Sequence, residues 1–324
     1  MFHASHFTFH VSRSTRFFPL PFSLFLLLTS FVHAQQDPLL TQYMYQKLEF
    51  NPAYAGSREG FSADLVTRFQ WVGMEGVPRT LWLTAHTQLR NPHIGVGMYA
   101  SCDELGPTVD YNVMGTFAYR ILFPGCRLAF GISAGIKYYD IDWSALNPKD
   151  PGDIELVSDT RNAVVPDLDF GIWFSHPRYY AGISSKHLLQ NQLVVSGSSP
   201  GGETSFTRLL RNFYGIAGGT VALGGRLVFI PSVLVKYVQH APVQADFSAL
   251  FKLLDRFTMG ISYRTTQALG FLVAVEFGKG FSIGYAYDVW FNPLQVHNKG
   301  SHEIRIGYET DLFSRTRMLS PRYF

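Results

Sequence analysis

Cysteine is scarce: the two in this chain of 324 residues, Cys102 and Cys126, are too few for a disulfide scaffold. Any excess of one charge is missing as well. Lys and Arg number 27 against 24 Asp and Glu, and two of the arginines, Arg13 and Arg16, fall within the first 34 residues. A near-neutral chain lacks the basic footprint of a nucleic-acid binder. Beyond those first residues no apolar run approaches the ~20 residues that a helical membrane span requires, although 47% of the chain is hydrophobic and 15% aromatic. Glycine motifs of the kind that cradle phosphate are absent too. An apolar chain without membrane helices can cross a bilayer only as a closed barrel, because open sheet edges find no hydrogen-bond partners in lipid.

What is present begins with a leader. His3, His6, His10, Arg13 and Arg16 precede a run from Phe17 to Val32 dominated by Phe and Leu, and Val32-His33-Ala34 gives a small-x-small ending. This order predicts a secretory signal peptide over residues 1–34, cleaved after Ala34. A membrane anchor is the alternative, and Pro19 and Pro21 in a short apolar run count against it. No cysteine follows the cleavage point to carry a lipid.

The mature chain alternates. From Phe61 to Trp71, the residues Phe61, Ala63, Leu65, Thr67, Phe69 and Trp71 share one strand face, while Ser62, Asp64, Val66, Arg68 and Gln70 share the other. The same division recurs at 257–264 and 281–289. Alternation and bounding turn residues predict about fourteen strands, at 61–71, 79–90, 94–102, 110–122, 126–139, 166–176, 178–185, 211–222, 225–237, 243–253, 255–264, 268–277, 279–289 and 301–310. Connections after even-numbered strands are tight, with Asn91-Pro92, Pro124-Gly125, His176-Pro177, Gly224-Gly225, Asp255 and Lys279-Gly280. Two of the others are long, roughly 140–165 and 186–210. The fold expected is therefore all-β: a transmembrane outer-membrane barrel of about 14 antiparallel strands over 61–310, with both termini periplasmic. A soluble β-sandwich is the competing architecture, but it would bury its aromatic face and leave the polar one exposed.

Outside the barrel, residues 35–60 form an N-terminal periplasmic or mouth segment in this reading. Leu39, Leu40, Tyr43, Met44, Lys47 and Leu48 lie near one helical face, suggesting a short amphipathic helix that ends at Asn51-Pro52. Residues 311–324 form a polar tail. The lumenal face carries Asp64, Arg68, Arg120, Lys137, Lys236, Asp246, Lys252, Arg264, Glu276, Asp288, Glu303 and Arg305, a mixture of signs that suits either a wet pore or a lumen closed by paired charges.

A search for chemistry yields little. Ser184, Ser185 and His187, with Lys186 between them, are the nearest approach to a nucleophile and base, and Ser185 and His187 would share a face if their strand continued; Ser-x-His at a strand end is unspecific. His86 and His302 are expected in the lumen as hydrogen-bonded wall residues. Asp140, Asp142, Asp150, Asp153 and Glu155 make one loop acidic without the glycine and terminal glutamate of a calcium loop. Gly131, Gly135, Gly260 and Gly284 fall on the lumenal face as space-makers. No catalytic, cofactor-binding or metal site is assigned, and no cofactor, nucleic acid or small-molecule substrate is expected.

The ordered motifs are more telling. Gln36-Asp37-Pro38, Gln42-Tyr43-Met44, Asn51-Pro52-Ala53-Tyr54-Ala55-Gly56, Arg68-Phe69-Gln70-Trp71-Val72-Gly73 and Gly76-Val77-Pro78 resemble the N-terminal signature of the PorP/SprF family. Tyr180-Ala181-Gly182-Ile183-Ser184 with His187-Leu188, Ala241-Pro242-Val243-Gln244-Ala245-Asp246, Gly284-Tyr285-Ala286-Tyr287-Asp288 and Gly300-Ser301-His302-Glu303 continue it. The resemblance implies a non-enzymatic outer-membrane accessory component of the type IX secretion system. Its implied partners are other components of that machinery and C-terminal-domain cargo such as gliding adhesins, with outer-membrane lipid around it. A passive channel or hydrophobic-solute transporter is the alternative.

Overall fold

The computed structural model describes residues 37–310 except 59, 143–160, 197–202 and 279. The leader 1–34 and the tail 311–324 lie outside the described residues.

Alternation of side chains is realised as strands β1 (Phe61–Phe69), β2 (Arg79–Gln88), β3 (Ile94–Leu105), β4 (Thr108–Phe123), β5 (Cys126–Ile141), β6 (Arg161–His176) and β7 (Tyr179–Lys186). After a small hairpin, β8 (Gln192–Ser196) and β9 (Glu203–Arg208), the wall resumes with β10 (Asn212–Gly219), β11 (Val221–Gly224), β12 (Leu227–Val238), β13 (Gln244–Leu253), β14 (Phe257–Arg264), β15 (Ala268–Phe277), β16 (Phe281–Trp290) and β17 (Ser301–Thr310). Every pairing is antiparallel, and most join chain neighbours. Closure comes from β1 on β17, with Phe61 opposite Thr310 and Phe69 opposite His302. Between β7 and β12, the strand β10 carries the wall across the hairpin, with Asn212 opposite both Lys186 and Val238. β11 continues β10 past a break at Thr220 and pairs with the far end of β12. The result is a closed barrel with fourteen wall strands.

The two faces sort as alternation predicts. On β1, Leu65 and Phe69 are exposed, whereas Ser62, Asp64, Val66 and Arg68 are buried. On β14 and β16, Met259, Ile261, Tyr263, Ile283 and Tyr285 face outward while Ser262, Arg264, Ser282 and Asp288 face in. Such an exposed apolar surface suits lipid, since the bilayer removes it from water. Cys102 pairs opposite Tyr111 near the β3–β4 turn and Cys126 opposite Phe123 at the β4–β5 turn, at opposite ends of the wall, and both are free.

Four expectations about bounds and faces need correction. The loop expected at 140–165 is shorter, because β5 runs to Ile141 and β6 starts at Arg161 in register with it. The loop expected at 186–210 contains the β8–β9 hairpin, whose strands are short and are separated by a Gly/Ser/Pro stretch. β1 stops at Phe69, and Trp71, with φ +51, leaves the apolar face altogether. Its backbone N–H donates to Ser301 Oγ and its ring packs edge-on against Trp290. Finally, His302 is not lumenal. Glu303 and Arg305 fix the inward parity of β17, so His302 points out, where its Nδ1 hydrogen-bonds the Tyr285 hydroxyl at 2.7 Å.

Both ends of the barrel wall, Phe61 and Thr310, lie at the end that carries the tight turns. The long connections and the β1–β2 loop occupy the other end.

Candidate functional site: a segment threaded through the lumen

Residues 37–58 do not form an amphipathic helix at a mouth; they run through the barrel. Asp37 lies near the ends of β7, β10 and β12 at the loop-bearing end, and Arg58 meets Glu309 at the tight-turn end. Only one helical turn is present, Lys47–Phe50, followed by a 3-10 turn at Pro52–Tyr54. The physical reason is burial on all sides: Leu40, Tyr43, Leu48, Ala53 and Ala55 are at most 1% exposed, and so are Gln42, Gln46 and Asn51. A segment surrounded by wall has no polar face to show water, so no helical periodicity survives in it.

The wall is cut to this plug. Trp82, Trp173, Tyr180, Tyr214, Leu234, Leu250 and Leu272 all point inward and form one apolar cluster with Leu40, Tyr43, Leu48, Phe50 and Tyr54. Large apolar side chains on the lumenal parity were the sequence signal for a filled interior, since a wet pore gives them nothing to pack against. Glycines complete the imprint. A Cβ at Gly131 would run into the backbone of Pro52 and Ala53, at Gly171 into Asn51, and at Gly182 into Asn51 and Trp173. Gly131 and Gly171 are direct partners across β5 and β6, so the Asn51-Pro52-Ala53 turn sits on a patch of bare backbone. Asn51 bonds that patch: its Nδ2 donates at 3.0 Å to the carbonyls of Ile172 and Ile183 on paired strands, while its Oδ1 accepts from Ala53 N–H at 2.9 Å. Gly56, at φ +68, then turns the chain toward β1, and its carbonyl accepts from Arg120.

Charge fixes the loop-bearing half. Thr41 and Gln42 donate their backbone N–H groups to the two oxygens of Glu303, at 2.6 and 3.0 Å. The Thr41 hydroxyl donates to Asp288 at 2.7 Å, and Arg68 bridges the two carboxylates, at 2.8 Å to Asp288 and in direct contact with Glu303. All three charged groups are at most 2% exposed. Two buried carboxylates beside one arginine leave a negative charge that the peptide N–H groups of the plug satisfy in part.

A second cluster holds the start of the plug. His187, at φ +56 just past β7, places Nε2 3.1 Å from Asp37 Oδ1 and Nδ1 2.5 Å from Asp167 Oδ2. Both ring nitrogens donate only in the imidazolium. Burial works against that charge, but Asp37 and the hydrogen bonds to Asp167 and Asp37 prevail and lift the His187 pKa to about 9. Burial likewise opposes ionisation of Asp37, and the charge and hydrogen bond of His187, with Lys186 and Lys236, hold it well below the usual carboxylate value. Asn212 and Tyr214 also donate to Asp37, and Lys236 Nζ reaches its carbonyl at 2.8 Å. Asp167, Asp169 and His187 stand within 4.8 Å of one another, a spacing that could hold a cation. Here each already has a partner: Asp169 accepts from Tyr99 at 2.7 Å and from the His187 backbone at 3.1 Å.

The Ser184, Ser185 and His187 grouping comes apart. Ser184 is lumenal and donates to the Phe50 carbonyl, and Ser185 is on the opposite face. The strand ends at Lys186, so His187 turns inward and never shares a face with Ser185. His86 is lumenal as expected, accepting from Gly56 N–H at 3.2 Å and stacking edge-on against Tyr54. Of the expected lumenal charges, Arg264 pairs with Asp246 at 2.9 Å, Arg305 with Asp64, Lys137 with Asp110 at 2.8 Å and Lys252 with Glu276 at 2.6 Å. Paired charges and an apolar plug close this lumen.

The family model described as "Type IX secretion system membrane protein PorP/SprF" matches residues 32–308, and the chain belongs to that family. Among curated proteins none matches. Among solved structures, the chain is similar to the CymD monoaromatic hydrocarbon channel, with a TM-score of 0.53 at 10% identity over 84% of this chain and 94% of that one. It is also similar to the Ralstonia pickettii toluene transporter TbuX, with a TM-score of 0.47 at 12% identity over 82% and 93%. The Acinetobacter baumannii outer membrane protein Omp33 gives 0.44 at 6% identity over 78% and 98%. At 10% identity the likeness to CymD is one of fold alone.

Proposed function

We propose, from membership of the PorP/SprF family, that this chain is an accessory barrel of type IX secretion. It supports export or surface attachment of C-terminal-domain cargo, gliding adhesins among them, through protein–protein contacts and without an active site. The tight-turn end faces the periplasm and residues 1–34 serve as the export signal. One observation carries this reading. The family's signature motifs are spent on seating residues 37–58 in the wall: Gln42-Tyr43-Met44 and Asn51 to Gly56 are the plug, while Arg68, Gly182, Ser184, His187, Asp288 and Glu303 hold it. A chain that spends these residues on closing its lumen works at its rims. Deleting the gene and comparing secreted proteins tests this: loss of one or more C-terminal-domain substrates from the surface is expected, and unchanged export of all of them would sink it.

The second reading, a channel or hydrophobic-solute transporter, draws on the fold shared with CymD. The filled lumen stands against it, and solute uptake into liposomes by the purified native barrel would revive it.

A further inference from the structure

The two rims of the barrel differ in charge. Four of the tight turns at one end hold an exposed arginine: Arg90 between β2 and β3, Arg178 between β6 and β7, Arg226 between β11 and β12, and Arg256 between β13 and β14. The described acids at this end are Asp255, Glu276 and Glu309. Glu309 is paired with Arg58 and Glu276 with Lys252, and Asp255 is itself engaged. Among the described residues none of the four guanidinium groups makes an ion pair or a hydrogen bond. At the opposite end exposed groups of both signs stand together, and Arg79 lies directly across from Glu104.

The arginines stand where the apolar wall ends. Tyr179 follows Arg178, Phe257 follows Arg256, and Val221 lies on the strand that leads to Arg226; all three are exposed and share the outward parity of their strands. The apolar surface therefore runs down to the turns themselves, and a bilayer that covers it brings its headgroups to their level. An arginine placed there lays its methylene stem along the acyl boundary and carries its guanidinium among the headgroups. Its planar fork matches a phosphate. The turns at Arg178, Arg226 and Arg256 are consecutive around the wall. Each is two strands from the next, about 10 Å, so three cations share one arc.

We propose that this arc of the tight-turn rim is a binding surface for anionic phospholipid, with Arg178, Arg226 and Arg256 donating to the headgroup phosphates. A rim of one sign gains from each added negative headgroup, whereas a zwitterionic headgroup brings a cation of its own. The lipid-facing side chains beside each arginine point to a lipid rather than to an acidic protein. The surface follows from the barrel fold and is independent of the secretion reading.

Native mass spectrometry of the full-length protein, released from nanodiscs of phosphatidylglycerol and phosphatidylethanolamine in equal parts, tests this. Phosphatidylglycerol should be retained in preference, and the preference should weaken in high salt. Replacing all three residues (Arg178→Gln, Arg226→Gln and Arg256→Gln) should lower it at least roughly ten-fold, while Arg79→Gln at the other rim should leave it unchanged. Heat-resistant migration on electrophoresis verifies that each variant is folded; if the triple variant is not, Arg256→Gln alone should still lower the preference. Equal retention of the two lipids by the native barrel, or an undiminished preference in a folded variant, would overturn the surface. Binding of inorganic phosphate or of a tetraglutamate peptide at these arginines without any lipid preference would overturn the lipid assignment.

Discussion

The two halves of the plug are held unequally. At the loop-bearing end each charge has a partner within about hydrogen-bond reach: Asp37 has His187 and Asn212, and Arg68 has Asp288 and Glu303. At the tight-turn end Arg58 pairs with Glu309 and Arg305 with Asp64, while Lys47 lies over the Tyr180 and Tyr54 rings and Glu276, though paired with Lys252, keeps 41% of its side chain exposed. The first arrangement resists removal of the segment. The second is looser, beside a cavity of about 810 Å³. The difference teaches that one end of the lumen is a clamp and the other a looser vestibule.

The clamp breaks most severely at Arg68. Arg68→Ala leaves Asp288 and Glu303 buried side by side without their cation, a change that costs about 3–5 kcal/mol for a buried pair. The expected outcome is loss of the heat-resistant folded form on electrophoresis. Next comes the bare-backbone patch. Gly131→Ala drives a methyl into Pro52 and Ala53, and overpacking of this kind costs about 1–3 kcal/mol; a lowered thermal midpoint with retained barrel migration is expected, together with faster proteolysis after Arg58.

A titration distinguishes the ends without a mutation. His187 carries a folded-state pKa of about 9 against an ordinary 6.5, so its contribution is complete below about pH 6.5 and is lost as pH rises through 9. Asp37, held below its ordinary value, contributes above that value and loses its share only in acid. Thermal stability is therefore expected to fall between pH 7 and 10, and His187→Gln should flatten that slope. The smallest effect belongs to the tight-turn end: Glu276→Gln removes a half-exposed ion pair, worth about 0–1 kcal/mol, and should leave the thermal midpoint nearly unmoved.

Much of the wall was legible in the sequence because a strand's period of two writes its environment directly. Arg68, Asp246, Arg264, Asp288 and Glu303 were placed in the lumen by parity alone, and Pro124-Gly125 and Gly224-Gly225 marked two of the tight turns. His302 went to the wrong side although its neighbours Glu303 and Arg305 fixed the parity. The plug was illegible for a different reason. Asp37 finds His187 150 residues away and Thr41 finds Glu303 262 residues away, contacts that no local pattern encodes. Its trace was indirect, in Trp82, Trp173 and Leu234 standing inward where polar residues were expected, and in glycines at positions 131, 171 and 182. The motifs shared with the family named the right residues, but only the folded barrel shows that they meet.

The central claim is that residues 37–58 close the barrel. Conductance of the purified native protein in a planar lipid bilayer tests it most directly. A silent, stably inserted barrel is the predicted result, and steady ohmic current through a fourteen-stranded pore would contradict it.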